Sequence, residues 1–172
     1  MFSGLQYFNG AIEGIHLTTT DSKDKGEDYW CTVNAILKDG LVYIDEVIYT
    51  QDNPDITVPR TQELINSKRS EHNYLEINFG GSFALSQLQE DCNHQILPLR
   101  NTTNKLTRII NESRFIKKYF RFRDDGNEEY KSFVEHVRFY TGEKGQPDDA
   151  PDSLEMMSKV VQAVFYHEFY KQ

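Results

Sequence analysis

The stretch YWCTVNAILKDGLVYIDEVIYT, residues 29–50, contains two runs rich in β-branched and aromatic residues on either side of Lys-Asp-Gly. Asp and Gly tolerate the positive φ angles of tight hairpin turns, so the stretch predicts two antiparallel strands at 29–37 and 41–50. The preceding run GAIEGIHLTTT, residues 10–20, shows a rough alternation and predicts another strand. These three strands would form the antiparallel part of a sheet.

The remaining sequence mixes helical and strand patterns. Apolar residues recur at helical spacing in several segments, and short apolar runs between them predict more strands. Because helices and strands are mixed along the chain, we expect an α/β fold with a mixed sheet. The predicted helices are 57–69, 82–92, 103–114, 127–140 and 148–171, and the predicted strands are 73–79, 94–100 and 116–123.

The composition is that of a folded domain without membrane segments. The chain has 172 residues with 38% hydrophobic and 13% aromatic content, which suits a single domain, residues 1–172, with a sizeable core. No apolar run is long enough to span a bilayer, and the N-terminus lacks a signal-peptide pattern, so we expect no membrane partner. Cys31 and Cys92 are far apart without a metal-ligand pattern and are expected to be reduced thiols of a cytoplasmic protein.

The charge distribution is uneven. The net charge is −8, yet residues 99–123 carry eight Lys and Arg side chains against the single acid Glu112. Aromatic residues lie between these cations, a combination that could attract a phosphate backbone. A basic helix and strand with a solvated face is an equally simple interpretation. If segment 99–123 does bind DNA, Arg114, Lys117 and Lys118 are among its candidate contacts.

Acidic residues occur where predicted elements begin or end. Asp21 follows the first strand, Glu76 lies inside an apolar strand, and Asp149 and Asp152 share one face of the first turn of the last helix. If the first and fourth strands are neighbours and the last helix packs across them, these carboxylates meet. Oxygen-only ligands suit Mg²⁺ or Mn²⁺, and two such ions can support phosphodiester hydrolysis.

The acids could also have purely structural roles, and the sequence lacks the motifs of several other enzyme classes. Asp21 could be a turn residue, and the acids at 148–152 could serve the helix N-terminus. The sequence contains no His-Glu-x-x-His, no Gly-x-Ser-x-Gly, and no Gly-x-x-x-x-Gly-Lys-Ser/Thr motif. It therefore carries no P-loop ATPase.

Taken in order, several motifs resemble the nuclease (C-terminal) domain of terminase large subunits from tailed phages and prophages. DSKDKGEDYW resembles the Asp-Pro-x-x-x-Gly-x-Asp-Tyr segment that ends the first strand, and LEINFGG resembles a Glu-x-Asn-x-Gly-Gly motif. PDDAPDSLEMM resembles the closing Asp-Asp-Ala-Pro-Asp motif, while LVYIDEVIYTQDN and KLTRI match the segments between them. The ordered set covers roughly residues 10–165.

This resemblance implies an RNase H-like fold, with three antiparallel strands plus parallel strands flanked by helices, and a two-metal endonuclease that cuts concatemeric double-stranded DNA. Position by position, Asp21, Glu76 and Asp149 match the catalytic acids that bind two Mg²⁺ or Mn²⁺ ions, with Asp148 and Asp152 as further ligands. Lys105 and Arg108 match basic positions near the DNA. The implied partners are the terminase ATPase domain, the portal and the small terminase subunit, on a procapsid in the host cytoplasm.

The match has departures. Ser22 stands where the family often has Pro, and an alternative register would place His16 at the first acid position. The family's full chain carries an ATPase motor, so the sequence is expected to be an isolated C-terminal domain. There are two alternative interpretations. One is another RNase H-like nuclease, such as a junction resolvase, and the other is a DNA-binding or motor-docking module with a degenerate site.

Overall fold

The computed structural model describes residues 1–22, 28–77 and 81–170, and of residues 81–83 it describes the backbone. Four strands come first, helices and strands alternate from the first helix to the last strand, and three helices end the described chain. The strands are β1 (Gln6–Phe8), β2 (Ile15–Asp21), β3 (Trp30–Lys38), β4 (Leu41–Thr50), β5 (His72–Glu76), β6 (Ile96–Leu99) and β7 (Phe120–Arg123). The helices are α1 (Pro54–Lys68), α2 (Gly81–Glu90), α3 (Lys105–Tyr119), α4 (Glu128–Phe139), α5 (Asp149–Val164) and α6 (Tyr166–Phe169).

The strands of the described ranges form one mixed sheet in the order β1-β7-β4-β3-β2-β5-β6. β2, β3 and β4 pair antiparallel, and the turn between the last two places Asp39 and Gly40 at positive φ, as the Lys-Asp-Gly signal predicts. β5 lies parallel to β2, so the first and fourth predicted strands are indeed neighbours. The predicted mixed sheet is therefore confirmed.

Helices cover both faces of this sheet, so β3 is buried on both sides. Trp30 and Ile48 pack with Leu64 and Leu88 on the face covered by α1 and α2. Cys31, Val33 and Leu17 belong to the larger core under α3, α4 and α5. No helix in the described ranges is long and apolar enough to cross a bilayer.

α3 and α5 lie side by side and run in the same direction. Near their starts Arg108 contacts Glu155, and further along Glu112 accepts hydrogen bonds from Ser158 and Gln162. Both helices therefore begin at the same end of the sheet. That end is where β2 and β5 terminate, because Asp152 in the first turn of α5 lies beside Asp21 and Glu76, the last residues of these strands.

Several predicted boundaries differ from the structure. The strand predicted at 116–123 begins only at Phe120, because Ile109 and Ile116 continue one buried face of α3. β1 was not predicted, and it pairs outside β7, so β7 is an inner strand. The last long helix ends at Val164 rather than at 171, and the motif positions 23–27 and 78–80 lie outside the described residues.

Candidate metal centre

Two carboxylates lie side by side at the ends of neighbouring parallel strands. Asp21 closes β2 and Glu76 closes β5, and the two residues are direct partners in the register of this pair. Side chains of paired residues lie on the same face of a sheet. For Asp21 and Glu76 that face is the one covered by α5, since Tyr74, two residues before Glu76, packs against the same core.

The third carboxylate comes from the first turn of α5. Asp152 is 3% exposed, and ligand oxygens of Asp21, Glu76 and Asp152 all lie within 4.8 Å of one another. These residues line an open pocket of about 200 Å³ together with Asn101, Lys105 and Asp149. We call Asp21, Glu76 and Asp152 the acid cluster.

The other two predicted ligands lie outside the acid cluster, although Asp149 lines the same pocket. Asp149 Oδ2 accepts a hydrogen bond of 3.0 Å from the backbone N–H of Tyr29. Asp148 is the N-cap residue of α5, and its Oδ1 accepts a hydrogen bond from Lys105 Nζ at 3.1 Å. Three residues of helix rise by about 4.5 Å, so Asp149 and Asp152 reach different depths from the same face. The structure thus brings together Asp21, Glu76 and Asp152, with Asp149 and Asp148 beside them.

The acid cluster is electrostatically unfavourable in the absence of a cation. Burial, together with the charges of Glu76, Asp152 and Asp149, raises the pKa of Asp21 well above its ordinary value. Burial raises the pKa of Asp152 to about 7, although Lys105 and Arg108 oppose that shift. Burial also raises the pKa of Asp149, against the hydrogen bond from Tyr29. A divalent cation would relieve this repulsion and compete with the protons.

Polar neighbours hold the individual carboxylates in place. Asn101 Nδ2 donates a hydrogen bond of 2.9 Å to Glu76 Oε1. Lys105 Nζ lies 3.1 Å from Asp148 Oδ1 and 3.7 Å from Asp152 Oδ2. Burial alone would lower the pKa of Lys105, but the carboxylates of Asp152 and Asp148 raise it above its ordinary value. Lys105 is therefore a charged group held next to the acid cluster.

Arg108, a predicted DNA contact, is a buried residue that lines the pocket. Its Nη1 lies 3.1 Å from Asp152 Oδ1 and 2.8 Å from Glu155 Oε2, and its Nε donates to the carbonyl oxygen of Thr103. Glu155 is fully buried and also pairs with Lys159 at 2.6 Å. Its Nε and Nη1 are therefore engaged within the protein, and Nη1 supports Asp152.

The remaining predicted cations are spread along α3. Arg114 and Lys118 are exposed and Lys117 is half-buried. Arg114 follows Lys105 by nine residues, which is about 14 Å along a helix. Arg123, from the same basic segment, pairs with Asp45 and Asp125 at the other side of the sheet. The basic segment 99–123 is therefore not one continuous surface, and DNA contacts by Arg114, Lys117 and Lys118 stay a prediction.

Sequence reasoning missed three residues of the site. Asn101 and Tyr29 have no charge and Glu155 sits inside a helix, so none of them stood out. One signal existed for Glu155: it follows Asp152 by three residues, on the same helical face, where both can meet one arginine.

Comparison with known proteins points to one structural class. No family model matches this sequence. No curated protein sequence matches it either. Similar solved structures include the large terminase nuclease domain of bacteriophage SPP1 with bound Mn, at 11% identity and TM-score 0.64, covering 95% of this chain and 98% of that one.

Two more similar structures belong to the same class. The human cytomegalovirus terminase nuclease domain matches at 11% identity and TM-score 0.64, covering 97% and 94% of the two chains. The large terminase nuclease of the thermophilic phage G20c matches at 18% identity and TM-score 0.59, covering 90% and 94%. The predicted RNase H-like fold is confirmed by these likenesses.

Proposed function

We propose that this chain, which has the fold of terminase nuclease domains, is a metal-dependent endonuclease domain that cuts double-stranded DNA during viral DNA packaging. The observation that carries the proposal is the acid cluster. Asp21, Glu76 and Asp152 come from three separate elements, yet their ligand oxygens lie within 4.8 Å of one another. Asp21 and Glu76 lie at the carboxyl ends of adjacent parallel strands, where α/β sheets bind their ligands, and Asp152 joins them from the first turn of α5.

The donor set fits Mg²⁺ or Mn²⁺. All three members of the acid cluster offer carboxylate oxygens, the ligands that these hard cations prefer. Asp21, Glu76 and Asp152 would hold the first cation, and Asp149 with Asp148 stand beside them for a second. When bound, two such ions lower the pKa of an attacking water and stabilise the charge on the leaving oxygen.

The chain's own residues fix the carboxylates in advance. Asn101 holds Glu76 Oε1, Arg108 holds Asp152 Oδ1, and the backbone N–H of Tyr29 holds Asp149 Oδ2. Glu76 and Asp149 thus each have one oxygen held by the protein, and Asp152 is held by Arg108 and Lys105. Such support of ligands by outer neighbours is a general requirement of metal sites.

The substrate and partners follow from the same proposal. A phosphodiester backbone would place a phosphate over the open pocket. The ATPase domain, portal and small subunit of a terminase would deliver that DNA on a procapsid in the host cytoplasm. The SPP1 domain with bound Mn has the same fold, which supports this assignment.

A plasmid-nicking assay tests the proposed function. The chain with Mn²⁺ is expected to convert supercoiled plasmid to nicked and linear forms, and EDTA should stop the reaction. The variants Asp21→Asn and Glu76→Gln should be inactive because each removes a charged ligand without changing side-chain size. Cleavage that persists in both variants would contradict the assignment of Asp21 and Glu76 to the catalytic site. A strong preference for four-way junctions over linear duplex would indicate a resolvase instead.

Removal of the Lys105 side chain is expected to strengthen metal binding. Its ammonium group lies 3.7 Å from Asp152 Oδ2 and repels a divalent cation at the acid cluster. We therefore expect Lys105→Ala to lower the Kd for Mn²⁺ by about five- to tenfold, or roughly 1 to 1.4 kcal/mol. Titration calorimetry at pH 8 measures this, with Lys131→Ala as a control in α4. Unchanged or weaker binding in Lys105→Ala would contradict the expected repulsion.

A further inference from the structure

A second cavity adjoins the acid cluster. It is a groove of about 330 Å³ between the sheet and α5, and it has mostly apolar walls. Tyr74 and Leu99 form the wall on the sheet side, and Val160 with neighbouring residues forms the wall on α5. Asn101 lines both this groove and the pocket of the acid cluster, so the two cavities share a wall.

Two cations stand at the edge of this groove. Arg100 is exposed and, within the described ranges, makes no ion pair or hydrogen bond. Lys159 is 46% exposed and contacts Glu155 from the outer side. Lys105 and Arg108, in contrast, are engaged by the carboxylates of the site. Arg100 is thus a cation beside the site that is available to a phosphate.

We propose that this groove binds one nucleotide of the DNA strand next to the phosphate that is cut. The base would lie unstacked against the apolar walls with Tyr74, and its phosphate would contact Arg100. Proteins that hold single strands commonly combine an aromatic or apolar platform for the base with a cation for the backbone. This inference rests on the proposed function, since it places the groove relative to the cleaved phosphate.

The arrangement favours a nucleotide over an apolar peptide. The groove adjoins the pocket of the acid cluster at Asn101, and it carries positive charge in a chain whose net charge is −8. An uncompensated arginine gains most from an anionic occupant. Bases inside a continuous duplex cannot enter a recess, so the occupant is a base that has left the stack.

Binding of an oligothymidylate of about twelve nucleotides, labelled with fluorescein, tests this proposal by anisotropy in Ca²⁺. Arg100→Ala should weaken binding about five- to tenfold at 50 mM salt, and the slope of log K against log salt should fall by about 0.7, as expected when one contact to a single strand is lost. Ala163→Trp should weaken binding about tenfold without changing the slope, because an exposed Ala163 lines the groove and its replacement fills the space for the base.

The controls separate the groove from general electrostatics. Lys131→Ala removes an equal charge outside both cavities and should leave the affinity nearly unchanged. Mn²⁺ affinity should be unchanged in Arg100→Ala and Ala163→Trp, which shows that the acid cluster is intact. If Arg100→Ala binds no more weakly than Lys131→Ala, or if Ala163→Trp binds like the wild type, the proposed nucleotide site is wrong.

The same measurements distinguish this proposal from the proposed function. If the wild type cuts plasmid with Mn²⁺ but both groove variants bind the oligonucleotide normally, only the nucleotide site fails. If the wild type cuts no DNA while both groove variants lose affinity as expected, the nuclease assignment fails and the binding site stands.

Discussion

Replacement of Asp152 by Asn is expected to reduce Mn²⁺-dependent DNA cleavage by at least about a thousandfold, whereas Asp149→Asn should reduce it only about tenfold. Asp152 is 97% buried within the acid cluster, while Asp149 lines the same pocket outside that cluster and is held by the N–H of Tyr29. Loss of a primary ligand removes several kcal/mol of charge stabilisation, and about 4 kcal/mol corresponds to a thousandfold in rate.

Initial rates of plasmid nicking at saturating Mn²⁺ measure this difference. At saturation a variant that only binds Mn²⁺ more weakly is still occupied, so a lower rate reflects the cleavage step. Calorimetric titration of Mn²⁺ on the same two variants should show a large loss for Asp152→Asn and a small one for Asp149→Asn. Thermal unfolding of both variants serves as the control for folding. Equal rates in the two variants would contradict the prediction. A stronger effect of Asp149→Asn would identify Asp149 as the main third ligand.

Replacement of Arg108 by Met is expected to lower the free energy of unfolding by about 4 kcal/mol at pH 8, within the range measured when one partner of a buried ion pair is removed. Arg108 Nη1 lies between Asp152 and Glu155, and all three side chains are buried. Without the guanidinium group, two carboxylates are left close together in the interior. Urea unfolding measures the loss, and Arg114→Met, which removes an exposed cation, should change stability by less than about 0.5 kcal/mol.

The loss should be smaller at pH 5.5. The folded-state pKa of Asp152 is about 7, above its ordinary value, because of burial. The folded state therefore binds more protons than the unfolded state between those values, and stability falls as the pH rises through that range. Arg108 opposes the shift, so its removal raises the pKa of Asp152 further. Protonation of Asp152 at low pH then removes the repulsion between Asp152 and Glu155 in the variant.

A second substitution gives an independent check on Arg108. Arg108→Met combined with Glu155→Gln should recover part of the stability lost at pH 8, since one of the two stranded charges is removed. If Arg108→Met loses less than about 1 kcal/mol at both pH values, the ion pairs of Arg108 are not important for the fold.

The sequence predicted the sheet well because its signals are local. Lys-Asp-Gly marks the hairpin of β3 and β4, and the apolar runs mark most of the other strands. β1 has only three residues and no apolar run, so its pairing with β7 depends on tertiary contacts. Patterns of this length do not specify a strand.

The site was predicted in part for a similar reason. The sequence predicted that Asp21 and Glu76 would meet if their strands were neighbours, and the parallel register of β2 and β5 makes them direct partners. Helical periodicity put Asp149 and Asp152 on one face, but the depth of α5 over the sheet determines which carboxylate reaches the cluster. Charge counting likewise could not separate Arg108, which is buried by its partners on α5, from the exposed Arg114.

Anomalous diffraction from crystals soaked in Mn²⁺ tests the central claim most directly. The account predicts Mn²⁺ peaks bounded by carboxylate oxygens of Asp21, Glu76 and Asp152, with any second peak on the side of Asp149. Crystals of Asp152→Asn should lose the first peak under the same conditions. The assignment of this site as a nuclease metal centre would be contradicted if wild-type crystals at saturating Mn²⁺ showed no peak at the acid cluster, or peaks only elsewhere.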